Sequence, residues 1–269
     1  MNERANERLR LENDLRRALP LEQLHLVYQP QVELASGRIV GVEALIRWQH
    51  PELGLISPVK FIPVAEDTGL VSAIGEWVLH SACAQQRQWQ QDYGIALRMA
   101  VNLSPVQLQQ NDIVSMVNHI VSEVGMNPEY LELEITEGVL MGSDEQVKVD
   151  LYKLSLSGIQ IALDDFGTGY SSLRYISQLD IHKIKIDRTF IHDLTENSQN
   201  ASIVSAIVAM AKNLGITLLA EGIETREVAE LLARLGCQEG QGYLYDRPLS
   251  PEAIERLLEK EAAGQASPT

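Results

Sequence analysis

The chain alternates short β-rich runs with longer segments of helical periodicity, an order typical of helices wrapped around a mostly parallel sheet. Its 269 residues are close to the ~250 residues of a single eight-stranded α/β barrel. Eight β-rich runs can be counted along it. These observations predict an α/β fold, a modified TIM-type (β/α)8 barrel with one antiparallel strand.

The eight predicted strands account for the sheet. The first two are separated only by residues 33–38, a Ser-Gly turn too short for a parallel crossover. We therefore expect these two strands to form an antiparallel hairpin, which makes one barrel strand reversed. The predicted strands are residues 24–32, 39–48, 97–102, 130–136, 160–164, 183–186, 217–220 and 238–243.

Six helices are predicted from apolar residues three and four positions apart. Glycine, which ends helices because it adopts positive φ without a Cβ clash, follows five of them. The glycines are Gly94, Gly125, Gly158, Gly215 and Gly236. The helices are residues 70–93, 113–124, 144–157, 201–214, 227–235 and 251–262.

The ends of the chain differ from the barrel. Leu11, Leu15 and Leu19 recur at helical spacing in a charged segment before Pro20, which predicts either a solvated leading helix or a linker from an upstream domain. Small and polar residues at the other end predict a frayed tail. The predicted organisation is a leading linker helix (1–20), a barrel (21–262) and a flexible tail (263–269).

Composition limits the classes of partner. The net charge of −15 repels polyanions, so we expect no binding of duplex nucleic acid, and a phosphate-ester ligand would require divalent cations. The most apolar stretch, residues 203–219, is interrupted by Lys212 and Gly215 and falls short of the ~20 apolar residues of a membrane span. With only Cys83 and Cys237 there is no disulfide framework. We expect a cytoplasmic domain without membrane contact of its own.

Polar residues end or interrupt many of the apolar strands. Because active sites of α/β barrels lie at the carboxyl ends of the strands, these side chains should converge. Each alone could be a structural polar group or a helix cap. Together their carboxylates would repel one another unless cations were bound. The residues are Glu43, Asn102, Glu134, Asp164, Asp165, Lys185, Glu221 and Gln241.

The types of candidate ligand indicate which metal ion would bind. Carboxylate and amide oxygens without clustered Cys or His favour Mg²⁺ or Mn²⁺. Asp164 and Asp165 would point to opposite faces of a strand, but the chain can turn at a strand end before Gly167. Two ions ~3.5–4 Å apart are the usual arrangement for in-line attack on a phosphodiester. Lys185 would supply a fixed positive charge, or else turn outward to solvent.

A series of motifs in fixed order resembles the EAL family of cyclic di-GMP phosphodiesterases, over about residues 24–251. The motifs are Tyr28-Gln29-Pro30, Glu43-Ala44-Leu45 with Arg47, Asn102-Leu103-Ser104, Glu134-Ile135-Thr136-Glu137, Asp164-Asp165-Phe166-Gly167-Thr168-Gly169, Lys183-Ile184-Lys185-Ile186-Asp187, Glu221-Gly222-Ile223-Glu224 and Gln241-Gly242-Tyr243-Leu244.

This resemblance implies roles for individual residues. Lys185 would orient the attacking water, and the general base would be Glu221 or, alternatively, Asp165 with a metal-activated water. Glu137 would anchor a mobile loop at residues 164–172. The implied ligands are Glu43, Asn102, Glu134 and Asp164 for one ion and Asp164, Asp165 and Glu221 for the other. The implied substrate contacts are Gln29, the Leu45 backbone, Arg47 and Gln241.

The resemblance further implies hydrolysis of one phosphodiester bond of cyclic di-GMP to give linear pGpG. It implies an upstream sensory or GGDEF domain in a longer natural protein, and leaves a homodimer and a membrane anchor in that parent open. Two alternatives compete with the enzyme. One is a degenerate member that binds cyclic di-GMP without cutting it, although such members typically lose ligand acids. The other is a barrel glycosidase using Asp164 and Glu221.

Overall fold

The computed structural model describes residues 2–109, 112–142, 145–167, 179–195 and 198–265, and within them a barrel surrounded by helices. The strands are β1 (Leu24–Glu33), β2 (Ile39–His50), β3 (Gly54–Ile56), β4 (Arg98–Asn102), β5 (Leu131–Thr136), β6 (Gln160–Phe166), β7 (Lys183–Ile186), β8 (Thr217–Ala220) and β9 (Glu239–Gly240). The α-helices are α1 (Asn2–Ala18), α2 (Pro58–Thr68), α3 (Val71–Tyr93), α4 (Pro105–Leu108), α5 (Ile113–Val124), α6 (Glu137–Gly142), α7 (Glu145–Leu156), α8 (Arg188–Ile191), α9 (Ser198–Leu214), α10 (Arg226–Leu235) and α11 (Pro251–Gln265).

The strand order confirms the predicted barrel with one reversed strand. The sheet runs β1-β9-β8-β7-β6-β5-β4-β2-β3, and a further pairing of β1 with β2 closes it into eight strands with β3 outside. β1 is antiparallel to both of its neighbours, whereas the pairs from β2–β4 round to β8–β9 are parallel. The reversal places Gln29 opposite Glu43. Because β1 is reversed, its amino-terminal end lies where the other seven strands have their carboxyl ends.

The two faces of β5 show how the barrel is filled. Leu131, Leu133 and Ile135 are fully buried on one face, and Glu132 and Glu134 are buried on the other. Successive side chains of a strand point to opposite faces. The apolar face packs in the hydrophobic core, so the two glutamates point into the barrel. Part of the barrel interior is therefore polar although it is buried.

Several elements differ from the sequence prediction. The short strand β3 and the helix α2 were not predicted. Pro58 and Pro63 interrupt the helical pattern of α2 in the sequence. Pro58 nevertheless suits the start of this helix, where its missing N–H is not needed. The last strand is shorter than predicted and ends at Gly240, since the chain then turns and the N–H of Ile223 bonds to the carbonyl of Gln241.

The two ends of the chain also differ from expectation. α1 is not free in solvent, because Leu15 and Ala18 are buried in the core and Arg8 forms an ion pair with Asp67 of α2. Its role as a linker stays a prediction. At the other end α11 extends to Gln265, and residues 266–269 of the predicted tail lie outside the described residues. Among the helices that the structure describes, none is long and apolar enough to cross a bilayer.

The turn after β9 yields the first prediction. A Cβ on Gly242 would lie 2.2 Å from the carbonyl oxygen and 2.3 Å from the nitrogen of Ile223, so the backbone would have to move. We expect Gly242→Ala to lower the free energy of unfolding by about 3 kcal/mol, at the upper end of overpacking costs. Gly138→Ala in α6, where no heavy atom lies within 4 Å, should leave stability unchanged or raise it. Equal denaturation midpoints for Gly242→Ala and wild type would contradict the tight approach.

Candidate active site

Lys185 of β7 lies at the centre of a group of carboxylates at the carboxyl end of the barrel. Its side chain is almost fully buried. Nζ donates a hydrogen bond of 2.7 Å to Oε2 of Glu134. Its ion pairs with the other acids measure 2.9 Å to Glu221, 3.2 Å to Asp164 and 3.6 Å to Glu43. The outward-facing alternative for this lysine is therefore wrong.

Burial and charge act in opposite directions on these groups. Burial lowers the pKa of Lys185, but the surrounding carboxylates, Glu134 first, outweigh it and raise the pKa well above its usual range. Burial together with the neighbouring charge of Glu43 raises the pKa of Glu134 well above its ordinary value. The ammonium is therefore firmly protonated. One positive charge does not compensate all the acids around it.

Glu43 is held by two amides. Asn102 at the end of β4 donates a bond of 2.8 Å to its Oε1, and Gln241 after β9 donates a bond of 2.6 Å to its Oε2. Burial raises the pKa of Glu43, but Lys185 and these two amides overcome that effect, and the pKa lies below its usual value. Glu43 is therefore an ionised carboxylate in a fixed orientation.

Asp164 and Glu221 also come close to a third acid, Asp165. Asp164, Asp165 and Glu221 each offer a carboxylate oxygen, and these oxygens all lie within 4.8 Å of one another. Asp165 has a φ of +55°, and the pairing of β6 with β7 shifts in register between Leu163 and Phe166. This bend lets two consecutive aspartates reach one site. Burial and the charge of Asp164 raise the pKa of Asp165.

The donor set fits hard divalent cations. Oε1 of Glu134 is buried without a hydrogen-bond partner among the described residues. An orphaned buried carboxylate oxygen is costly unless a cation or donor satisfies it. The neighbouring donors are carboxylates and the amide of Asn102, which suit Mg²⁺ or Mn²⁺. The structure thus brings together all six residues predicted as metal ligands.

A cavity of about 550 Å³ opens beside the carboxylates and shares Glu43 and Glu221 with them. This size is within the usual range for small-molecule sites. Its other lining residues are Gln29, Leu45, Arg188, Thr189, His192, Gly222, Glu224, Gln241, Gly242 and Tyr243. Three of the four predicted substrate contacts therefore line it. Arg47, the fourth, does not, and its Nη1 donates to the Ile46 carbonyl at 2.9 Å.

Glu137 begins α6 directly after β5. Its Oε2 accepts a hydrogen bond of 3.3 Å from the backbone N–H of Gly167, two residues after Asp165. The contact is the one that an anchor of the segment following β6 would make. Residues 168–172 of the predicted loop lie outside the described residues. The anchoring role stays a prediction.

A second polar layer inside the barrel was missed from the sequence. Lys183 forms ion pairs of 2.7 Å with Glu132 and 3.0 Å with Glu239, and its Nζ donates to Gln31 at 3.3 Å. We call this group the lower layer and the group around Lys185 the upper layer. Each residue of the lower layer lies two positions from a polar residue of the upper layer or the cavity: Lys183 from Lys185, Glu132 from Glu134, Glu239 from Gln241, and Gln31 from Gln29. Polar pairs two positions apart on a strand were therefore the signal in the sequence.

Tyr243, in the motif Gln241-Gly242-Tyr243-Leu244, lines the cavity although the sequence predicted no role for it. Its ring is half exposed at the cavity, and the guanidinium of Arg247 lies 4.2 Å from the ring centroid. An exposed ring next to a cavity offers a stacking surface. The signal in the sequence was its place immediately after Gln241-Gly242.

The comparisons with known proteins agree with this geometry. Residues 12–248 match the EAL domain family. The chain is 46% identical over 254 residues to the bifunctional diguanylate cyclase/cyclic di-GMP phosphodiesterase MucR of Pseudomonas aeruginosa, covering 94% of this chain and 37% of that protein. It is 41% identical over 239 residues to the cyclic di-GMP phosphodiesterase PA2567 of the same organism, covering 89% of this chain and 40% of that protein.

A solved structure is similar as well. The PaMucR phosphodiesterase in complex with c-di-GMP superposes with a TM-score of 0.88 at 46% identity, covering 91% of this chain and 99% of that one. The chain thus spans less than half the length of the two curated relatives, but nearly all of this solved domain.

The acids of the site make metal affinity depend on pH. Burial raises the pKa of Glu221 to about 7. A ligand carboxyl must lose its proton to bind a cation, so affinity should rise with pH up to that pKa and level off above it. We expect Mn²⁺ to bind about tenfold more tightly at pH 8 than at pH 6. In Glu221→Gln binding should be weaker and its pH dependence flatter. Equal wild-type affinities at the two pH values, measured by calorimetry, would contradict this.

Proposed function

Because the chain belongs to the EAL domain family, we propose that it is a metal-dependent phosphodiesterase that hydrolyses cyclic di-GMP to linear pGpG. One observation carries the proposal: four carboxylates surround one buried ammonium, and a fifth, Asp165, joins two of them, at the edge of a cavity large enough for a nucleotide ligand. Relatives at 46% and 41% identity are named as cyclic di-GMP phosphodiesterases, which supports the same substrate here.

Charge balance supports two divalent ions. If all five carboxylates lose their protons on binding metal, they and the ammonium have a formal charge of −4, which two divalent cations would neutralise. Glu43, Asn102, Glu134 and Asp164 would hold one ion, and Asp164, Asp165 and Glu221 the other. When bound, the ions would polarise the phosphodiester and acidify the attacking water. Mg²⁺ or Mn²⁺ is the proposed cofactor because the ligands are hard oxygen donors.

The protein groups divide the remaining work. Lys185, protonated and fixed by its ion pairs, would orient the attacking water and offset negative charge as it develops on the phosphate. Glu221, whose pKa of about 7 suits proton transfer near neutral pH, would accept the proton of the water. Asp165 is the alternative base. Water oxygen attacks phosphorus, one ester P–O bond breaks, and the leaving oxygen takes a proton.

The cavity beside the acids would hold the rest of the substrate. Gln29, the Leu45 backbone and Gln241 line it and are the proposed polar contacts. Tyr243 offers a face on which a guanine base could stack. Arg47 is half-buried two residues beyond Leu45, so a phosphate contact would require its side chain to leave the Ile46 carbonyl. We propose that contact as one formed on binding.

An enzyme is favoured over a binding-only protein because all the predicted ligand acids are present and converge. A glycosidase would need two carboxylates, and five exceed that requirement. An upstream GGDEF or sensory domain, a homodimer, and a cytoplasmic location with or without a membrane anchor in a longer parent stay predictions, as does the anchoring role of Glu137.

Metal removal tests the proposal directly. We expect EDTA to abolish conversion of cyclic di-GMP to pGpG, followed by chromatography, and Mg²⁺ or Mn²⁺ to restore it. Ca²⁺ should inhibit, since its longer and looser bonds would displace water and phosphate from an in-line arrangement. Full turnover in EDTA would refute the metal mechanism. Binding of cyclic di-GMP with Mg²⁺ but without cleavage would favour the binding-only alternative.

Substitutions separate the ammonium from a metal ligand. Lys185→Met should bind Mn²⁺ at least as tightly as wild type, because a positive charge that repels the cation is removed. It should nevertheless lower kcat by roughly 10² or more, because a positioned catalytic group is lost. Glu43→Gln, of nearly unchanged size, should weaken Mn²⁺ binding and turnover together. Parallel metal titrations and kinetics distinguish them. A Lys185→Met protein with wild-type kcat would remove the lysine from the mechanism.

A further inference from the structure

A chain of hydrogen bonds joins the two polar layers inside the barrel. Nζ of Lys183 donates to Oε1 of Gln31 at 3.3 Å, and Nε2 of Gln31 donates to Oε1 of Gln241 at 3.2 Å. Nε2 of Gln241 then donates to Oε2 of Glu43 at 2.6 Å and to Oε1 of Gln29 at 3.0 Å. All five side chains are at least nine-tenths buried.

The chemistry of the two ends gives this chain a direction. An ammonium can only donate hydrogen bonds and an ionised carboxylate can only accept them. Lys183 therefore turns the oxygen of Gln31 toward itself, which leaves the NH₂ group of Gln31 facing Gln241. That NH₂ group needs an acceptor, so Gln241 presents its oxygen to Gln31 and its own NH₂ group to Glu43. The O and NH₂ ends of an amide have nearly the same shape, so each amide is oriented by the hydrogen bonds of its neighbours.

The lower end of the chain is itself fixed. Glu132 and Glu239 form ion pairs with Lys183 at 2.7 Å and 3.0 Å, and Arg98 forms an ion pair with Glu239. Nζ of Lys183 donates hydrogen bonds to Oε1 of Glu132 at 2.8 Å and to Oε1 of Gln31 at 3.3 Å, and Glu239 adds a charge contact. Lys183 is fully buried, and both of its acid partners belong to the lower layer and not to the candidate metal site. The orientation it imposes is therefore independent of what occupies the carboxyl end of the barrel.

We infer that Gln31 is a positioning residue, which transmits the orientation fixed by Lys183 to Gln241 and so holds Glu43 in the direction a metal ion requires. The inference rests on the proposed function in taking Glu43 as a metal ligand. Outer groups that orient a ligand typically change metal affinity 10–100-fold when they are replaced. Gln31 lies on β1, two residues from Gln29, and does not line the cavity.

Reversing the chain at one point tests this role. In Gln31→Glu the carboxylate still accepts from Lys183 but can only accept from Gln241, so the Gln241 amide would turn its oxygen toward Glu43. We expect Mn²⁺ affinity, followed by the EPR signal of free Mn²⁺, to fall 10–100-fold, with kcat largely restored at saturating Mn²⁺. Gln31→Met, which removes the bonds without reversing them, should show a smaller loss of about threefold to tenfold.

Gln86→Met is the matched control. Gln86 is a fully buried amide that donates to the Leu97 carbonyl and has no described contact with Glu43. It should lower the melting temperature of the metal-free protein without changing Mn²⁺ affinity. Wild-type Mn²⁺ affinity in folded Gln31→Glu and Gln31→Met would overturn the inference, as would losses no larger than that of Gln86→Met.

Two further results remain informative. If Gln31→Glu does not fold, the Mn²⁺ affinities of Gln31→Met and Gln86→Met are compared. A larger loss in Gln31→Met supports the inference, and equal affinities overturn it. If wild type binds Mn²⁺ but does not cleave cyclic di-GMP, the proposed function fails, and the affinity series still supports or overturns the role of Gln31. The metal titration thus separates the two failures.

Discussion

The burial of one ammonium among several carboxylates is the constraint on which the rest of the site depends. Lys185 is almost fully buried and lies 2.7–3.6 Å from four acids. Without the acids, the buried charge of Lys185 would strongly destabilise the fold. Without Lys185, the acids would repel one another. Each group therefore requires the others. The excess of negative charge that remains is what a cation site needs, so the demands of burial and of metal binding coincide.

Barrel geometry allows such a cluster because side chains two residues apart on a strand share the interior. β5 contributes Glu132 and Glu134, and β7 contributes Lys183 and Lys185, so the two ion-pair layers are repeats of one pairing at different depths. The lower layer is fully compensated, because Lys183 and Arg98 supply two positive charges for the carboxylates of Glu132 and Glu239. The upper layer has more acids than it can pair. A charge-balanced layer therefore lies directly beneath one that keeps an excess of carboxylates.

Local departures from regular structure occur where the site needs them. Asp165 adopts a left-handed backbone conformation, which is uncommon outside glycine but is tolerated better by aspartate than by most residues. The accompanying register shift turns two neighbouring carboxylates toward Glu221. At the end of β9, the close approach of Gly242 to Ile223 ends the strand and sets Gln241 above Glu43. At both bends the regular strand is interrupted, and the interruption places a side chain in the site.

The amino-acid sequence by itself determined the barrel, its reversed first strand and the residues that gather at its carboxyl end, because alternation, turn length and strand-end position are local properties. Those same properties place Glu43, Asn102 and Glu134 on adjacent strands. Only the tertiary structure decided that Lys185 points inward and pairs with four acids, that α2 forms despite Pro63, and that Gln31 and Lys183 lie beneath the site. Which way a buried lysine or glutamine points depends on partners from strands distant in the chain, and those partners are known only once the barrel has closed.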